Sequence, residues 1–160
     1  MLIRLCFLSA FVLLPLLAEA QLIARAPKES YGRGIWPFRI NRFDDNGRFH
    51  GMWKIMGPDE KTMLRKGRFR HGREVGTWRY FYYPSGNLYM VERHKRKLDY
   101  IPVKRYYENG SLEKEGQARV EDTKEKIRYF WFGEWKVYDD SGNFSHTEYY
   151  VNGNRLLLKE

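Results

Sequence analysis

The segment Gly76-Thr77-Trp78-Arg79-Tyr80-Phe81-Tyr82-Tyr83-Pro84-Ser85-Gly86-Asn87-Leu88 decides the fold. From Thr77 to Tyr83 every residue is β-branched, aromatic or basic, a composition that suits a pleated strand. Alternation along such a strand sends Trp78, Tyr80 and Tyr82 to one face and Arg79, Phe81 and Tyr83 to the other. The run ends at Pro84-Ser85-Gly86-Asn87, where Gly86 can take the positive φ that a tight reversal needs. Leu88 then opens a new apolar stretch, so the segment reads as one arm and the turn of a β-hairpin.

The same unit recurs on both sides. Gly51-Met52-Trp53-Lys54 precedes it, Gly133-Glu134-Trp135-Lys136 follows, and Val103-Lys104-Arg105-Tyr106 is a copy that has lost both glycine and tryptophan. The aligned positions Trp53, Trp78, Val103 and Trp135 are 25, 25 and 32 residues apart, which places an insertion in the charged stretch Val120 to Lys126. Turns built on Gly86, Gly110 and Gly142 follow three of the copies, and Pro58-Asp59-Glu60 follows the first. Further reversals lie at Asn46-Gly47, His71-Gly72 and Asn152-Gly153, and no helical apolar period interrupts them. The expected fold is therefore all-β: an elongated, single-layer antiparallel meander of repeated hairpins. A lone hairpin is marginal in water, so the copies must stack, with Trp53, Trp78, Val103 and Trp135 forming a cross-strand ladder. Gly51, Gly76, Gly86, Gly110, Gly133 and Gly142, with Trp53, Trp78 and Trp135, are the residues this repeat requires.

Asn46-Gly47-x-x-x-Gly51-x-Trp53 and His71-Gly72-x-x-x-Gly76-x-Trp78, each followed by a basic residue, resemble the repeat of the bacterial MORN-variant proteins, many of which are labelled antitoxin components. Tyr138-x-x-x-Gly142-x-Phe144 and Tyr149-x-x-x-Gly153 fit the same template, and the resemblance runs from Phe43 to Arg155. It implies a sheet of successive hairpins used as an interaction surface, with no catalytic residues.

The first twenty residues read as a secretory leader: Arg4, an apolar run from Leu5 to Leu17, and Ala18-Glu19-Ala20 before Gln21, with cleavage expected between Ala20 and Gln21. The chain then divides into the leader (1–20), an irregular arm (21–42) in which Trp36, Phe38 and Ile40 are placed to cover the first hairpin, and the repeat domain (43–160), whose Leu156-Leu157-Leu158 is expected to form a last edge strand. No later segment is apolar enough to span a bilayer. The single cysteine, Cys6, falls in the leader, so the expected mature chain offers neither disulfides nor thiolate chemistry. An exported protein, periplasmic, cell-surface or extracellular, is the expectation.

Net charge is +9, which favours anionic partners. The cations concentrate at Arg65, Lys66, Arg68 and Arg70, and again at Arg93, Lys95, Arg96 and Lys97. These are the candidate contacts for an anionic partner, and export disfavours nucleic acid. Four histidines, His50, His71, His94 and His146, share no short ligand motif, so neither a transition metal nor a cofactor is expected. Glu134 occupies the variable position between Gly133 and Trp135 and reads as solvent-facing rather than as a glycosidase-like acid. Ser85, Ser111 and Ser141 occupy turns. The leading expectation is a non-catalytic binding or scaffolding module, its partner a protein or an anionic envelope component, with peripheral membrane contact possible. The alternatives are a peripheral binder of anionic lipid or envelope glycan, and a small-ligand carrier or enzyme on a closed β-barrel.

Overall fold

The computed structural model describes residues 39–123 and 125–156. The leader, its Ala20–Gln21 junction, Trp36, Phe38, Leu157 and Leu158 lie outside those residues. All described strands belong to one compact unit, Tyr31–Glu160.

Ten strands follow one another: β1 (Arg42–Phe43), β2 (Phe49–Met56), β3 (Met63–Arg70), β4 (Arg73–Phe81), β5 (Leu88–His94), β6 (Ile101–Tyr106), β7 (Leu112–Asp122), β8 (Ile127–Tyr138), β9 (Phe144–Val151) and β10 (Asn154–Leu156). Each pairs antiparallel with the next, and the sheet remains open rather than closing into a barrel. No helix occurs among the described residues. The end of the arm joins this sheet: Arg42 begins β1, and the Asn41 side chain donates to the Lys54 carbonyl at 2.9 Å and accepts from the Lys54 amide at 2.8 Å.

Each sequence copy is two strands long, and this changes the expected ladder. Trp53, Trp78, Val103 and Trp135 do share one row, but they stand on β2, β4, β6 and β8, so neighbours in that series are about 9.5 Å apart. The intervening strands β3, β5 and β7 supply Gly67, Glu92 and Gly116, and β9, beyond β8, supplies Glu148. Trp53 faces Gly67, Trp78 faces Glu92, Glu92 faces Val103, Val103 faces Gly116, and Trp135 faces Glu148. Aromatic contact between copies runs diagonally instead, through Phe69, whose ring centroid is 5.8 Å from that of Trp53 and 4.8 Å from that of Trp78.

The Gly-x-Trp motif encodes a bulge. Lys66 pairs with Arg79 and Arg68 with Val75, leaving Gly76-Thr77-Trp78 opposite Gly67 alone. Likewise Glu115 pairs with Lys136 and Gln117 with Phe132, so Gly133-Glu134-Trp135 faces Gly116. Gly76 and Gly133 adopt φ of +70° and +68°, which glycine reaches without a Cβ clash. The bulge lays each indole across the neighbouring strand: a Cβ on Gly67 or Gly116 would overlap Cδ2 of Trp78 or Trp135. The third copy lacks the glycine, and β5 pairs with β6 without a register shift.

The core lies on this face. Trp78 and Trp135 are fully buried, Val103 nearly so, with Ile101 and Ala118 beside them. Trp131 stacks on Trp135 at 3.9 Å, and the Arg65 guanidinium carbon stands 4.3 Å from the Trp78 ring centroid. Along one edge the turns are tied together. Asn87 Nδ2 donates to the Glu108 carbonyl at 3.1 Å, and Asn109 Nδ2 to the Asp140 carbonyl at 3.0 Å. Tyr82 and Tyr107 hydroxyls donate to the carbonyls of Tyr106 and Tyr138. The insertion between the third and fourth copies lengthens the β7–β8 hairpin, whose outermost pairs are Glu121 with Arg128 and Asp122 with Ile127.

Candidate functional site

In every copy the residue after the tryptophan position is basic, and strand alternation turns it to the face opposite the core. The register then lines these residues up. Lys54 opposes Lys66, Lys66 opposes Arg79, Arg79 opposes Val91, Val91 opposes Lys104, Lys104 opposes Glu115, Glu115 opposes Lys136, and Lys136 opposes Thr147. This row crosses β2 to β9 on the open face. Arg68 and Arg93 flank it, opposite Met52 and Thr77.

Neutralisation is uneven along the row. Lys104 Nζ lies 2.9 Å from Glu115 Oε2, and the Tyr138 hydroxyl donates to Glu115 Oε1 at 3.0 Å. The Lys104 hydrogen bond holds the Glu115 carboxyl below the usual glutamate range. Lys54, Lys66, Arg68, Arg79 and Arg93, by contrast, make no ion pair among the described residues. Lys54, Lys66 and Arg79 sit on three adjacent strands, within about 10 Å of one another. A shallow depression of about 310 Å³ adjoins the row, lined in part by Arg93, Tyr100, Pro102, Lys104 and Lys136.

The cations singled out by their clustering in sequence do not stay together. Lys66, Arg68 and Arg93 reach the open face. Arg70 ends β3 opposite Arg73, and Lys95, Arg96 and Lys97 occupy the exposed β5–β6 turn. Arg65 turns to the core face, where it pairs with Glu74 and covers Trp78. Sequence clustering missed Lys54, Arg79, Lys104 and Lys136 because they are scattered along the chain, one after each tryptophan position, outside the two basic runs. The signal was the Trp-Lys/Arg step of the repeat itself.

Two acids lie in the core row. Glu92 is 3% exposed, accepts the Tyr80 hydroxyl at 2.8 Å and contacts His94 Nε2 at 3.3 Å. Glu148, 8% exposed, is held by Lys114 at 3.0 Å, Arg155 at 2.8 Å and the Tyr150 hydroxyl at 2.9 Å. Burial pushes both carboxyls up, but the hydrogen bonds from these partners, with Tyr129 also serving Glu92, outweigh it and leave Glu92 below its ordinary range and Glu148 at about 2. Burial and Glu148 together push the Tyr150 hydroxyl up to about 12. Carboxyls held ionised in this way suit anchoring, whereas a general acid needs a raised pKa. Glu134 is exposed, with the Tyr149 hydroxyl 3.5 Å away.

Two histidines that are 21 residues apart in sequence meet in space. The β2–β3 pairing brings the His50 and His71 ring centroids to 5.0 Å, and Asp44 joins them. A second group, Glu74, Glu92 and His94, lies on the core face, where Arg65 and Tyr80 already engage its carboxylates. The histidine spacing that excluded a metal cluster in the sequence thus does not carry over to the fold.

No family model, curated protein or solved structure matches the chain.

Proposed function

We propose that the protein is an exported, non-catalytic binding module that holds an anionic partner against the cation row of its open face. One observation carries this reading: Lys54, Lys66 and Arg79 oppose one another on three adjacent strands with no carboxylate pairing with them among the described residues. Directly opposed like charges destabilise a sheet, and solubility is served equally well by interspersed signs. A concentrated row therefore favours a counter-charge supplied from outside. Export rests on the leader-like Met1–Ala20 segment, and stacked two-strand copies support kinship with the MORN-variant repeats and their use as interaction surfaces. An acidic protein surface fits the row; anionic lipid headgroups and acidic envelope glycans are the second reading, favoured by the return of a cation on every second strand, β2, β4, β6 and β8.

The test is retention on an immobilised polyanion and cosedimentation with anionic vesicles. A Lys66→Glu/Arg79→Glu variant should bind at least about tenfold more weakly, since a basic residue near an anionic surface contributes about 1 kcal/mol and each charge is reversed. Lys95→Glu/Lys97→Glu, on the turn, should have the smaller effect. Binding should also weaken as salt rises. Equal binding by the row variant, or binding that ignores salt, would refute the proposal.

A further inference from the structure

We infer that Asp44, His50 and His71 form a surface site for a divalent transition cation of the zinc type, independent of the cation row. Three elements build it. Asp44 follows β1, His50 lies on β2 opposite Arg42, and His71 heads the tight turn between β3 and β4. That turn is fastened to β2 by the Gly72 amide, which donates to the Phe49 carbonyl at 2.8 Å. The ligand atoms of the three side chains lie within 4.8 Å of one another. His71 Nδ1 is 2.8 Å from Asp44 Oδ2, and His50 Nδ1 faces the His71 amide at 3.5 Å.

The donor set is the one that zinc accepts in three-ligand sites, two imidazoles and a carboxylate, with a fourth position open to water. Donors around a tetrahedral ion at such bond lengths stand roughly 3.3 Å apart. His71 Nδ1 and Asp44 Oδ2 already stand 2.8 Å apart, and all three donors lie within 4.8 Å, so binding asks for a side-chain adjustment rather than a backbone one. Arg48 occupies part of it, with Nε 3.0 Å from Asp44 Oδ2 and Nη2 3.3 Å from His71 Nδ1. Its side chain is 47% exposed and free to swing into solvent when a cation takes over the neutralisation of Asp44.

The backbone at His71 supplies a clean test. Its φ is +50°, a left-handed value that histidine and asparagine both adopt more readily than most residues, and the matching position of the β9–β10 turn is Asn152, at +52°. Asparagine satisfies that geometry on local grounds, as at Asn152. A histidine there adds an imidazole beside a second imidazole and a carboxylate. His71→Asn is accordingly a variant that removes a ligand and keeps the turn.

The experiment is equilibrium dialysis of the untagged, chelator-stripped protein against Zn²⁺, with bound metal measured by mass spectrometry. One equivalent should bind, and both His71→Asn and His50→Ala should weaken binding at least tenfold, with far-ultraviolet circular dichroism confirming that the sheet persists. Arg48→Ala should bind as tightly as the parent or more tightly. Failure to bind stoichiometric Zn²⁺, or undiminished binding by His71→Asn, would overturn the site. Loss of binding in His94→Gln with retention in His71→Asn would overturn it equally, by placing the ion on the core face.

Discussion

Gly67 and Gly116 each lie beneath an indole, so a tryptophan of one strand packs on the bare backbone of its neighbour. Trp135 is fully buried and has no room to retreat from a new methyl group. Gly116→Ala should therefore destabilise the protein by about 1 to 3 kcal/mol, the usual range for overpacking a filled core. A lowered denaturant midpoint with an unchanged slope would register it. Sequence reading identified the tryptophans as core residues but not these partners. A residue's cross-strand neighbour depends on register, and nothing local separates Gly67 from the glycines of the turns. Glu92 and Glu148 were equally illegible, because a carboxylate announces burial only through the basic and phenolic groups that the fold gathers around it.

Strands and reversals were mostly readable, since Asn-Gly and Ser-Gly steps bounded by aromatic runs identify hairpins directly. The bulge was not, although its residues are those of the repeat. Gly76 has open space where a Cβ would stand, so its requirement is conformational rather than steric. Gly76→Ala should cost about 1 to 2 kcal/mol for an L-residue at φ of +70°, and Gly76→Asn should recover part of that loss because asparagine tolerates left-handed backbone. Equal stability of the alanine and asparagine variants, measured by thermal melting, would contradict this account. The insertion before Gly133 was placed correctly in the chain, but its form, a longer β7–β8 hairpin rather than a loop, follows from pairing that composition alone does not reveal.

Over the whole sheet, one face collects the tryptophans and ionised acids and the other collects the cation row. The all-β open meander was legible because every hairpin joins sequence neighbours, whereas the row was hidden because alternation divides a linear basic cluster between two faces, as Arg65 and Lys66 show. The acids couple this fold to pH. Both Glu92 and Glu148 have carboxyls depressed below the ordinary value, so their contribution is fully present above about pH 4.5 and disappears as pH falls through their folded values, towards about 2 for Glu148. Melting temperature should drop steadily from about pH 4.5 to pH 2, and Glu148→Gln, already less stable at neutral pH, should show a shallower decline; parallel declines would argue against the assignment. The order of strands has a mechanical consequence as well. β1 and β10 form opposite edges of the sheet, and interstrand hydrogen bonds run across the strands. Tension applied between those edges would load one strand pair at a time, so the molecule would peel open like a zipper at low force and behave as a compliant tether rather than a rigid strut.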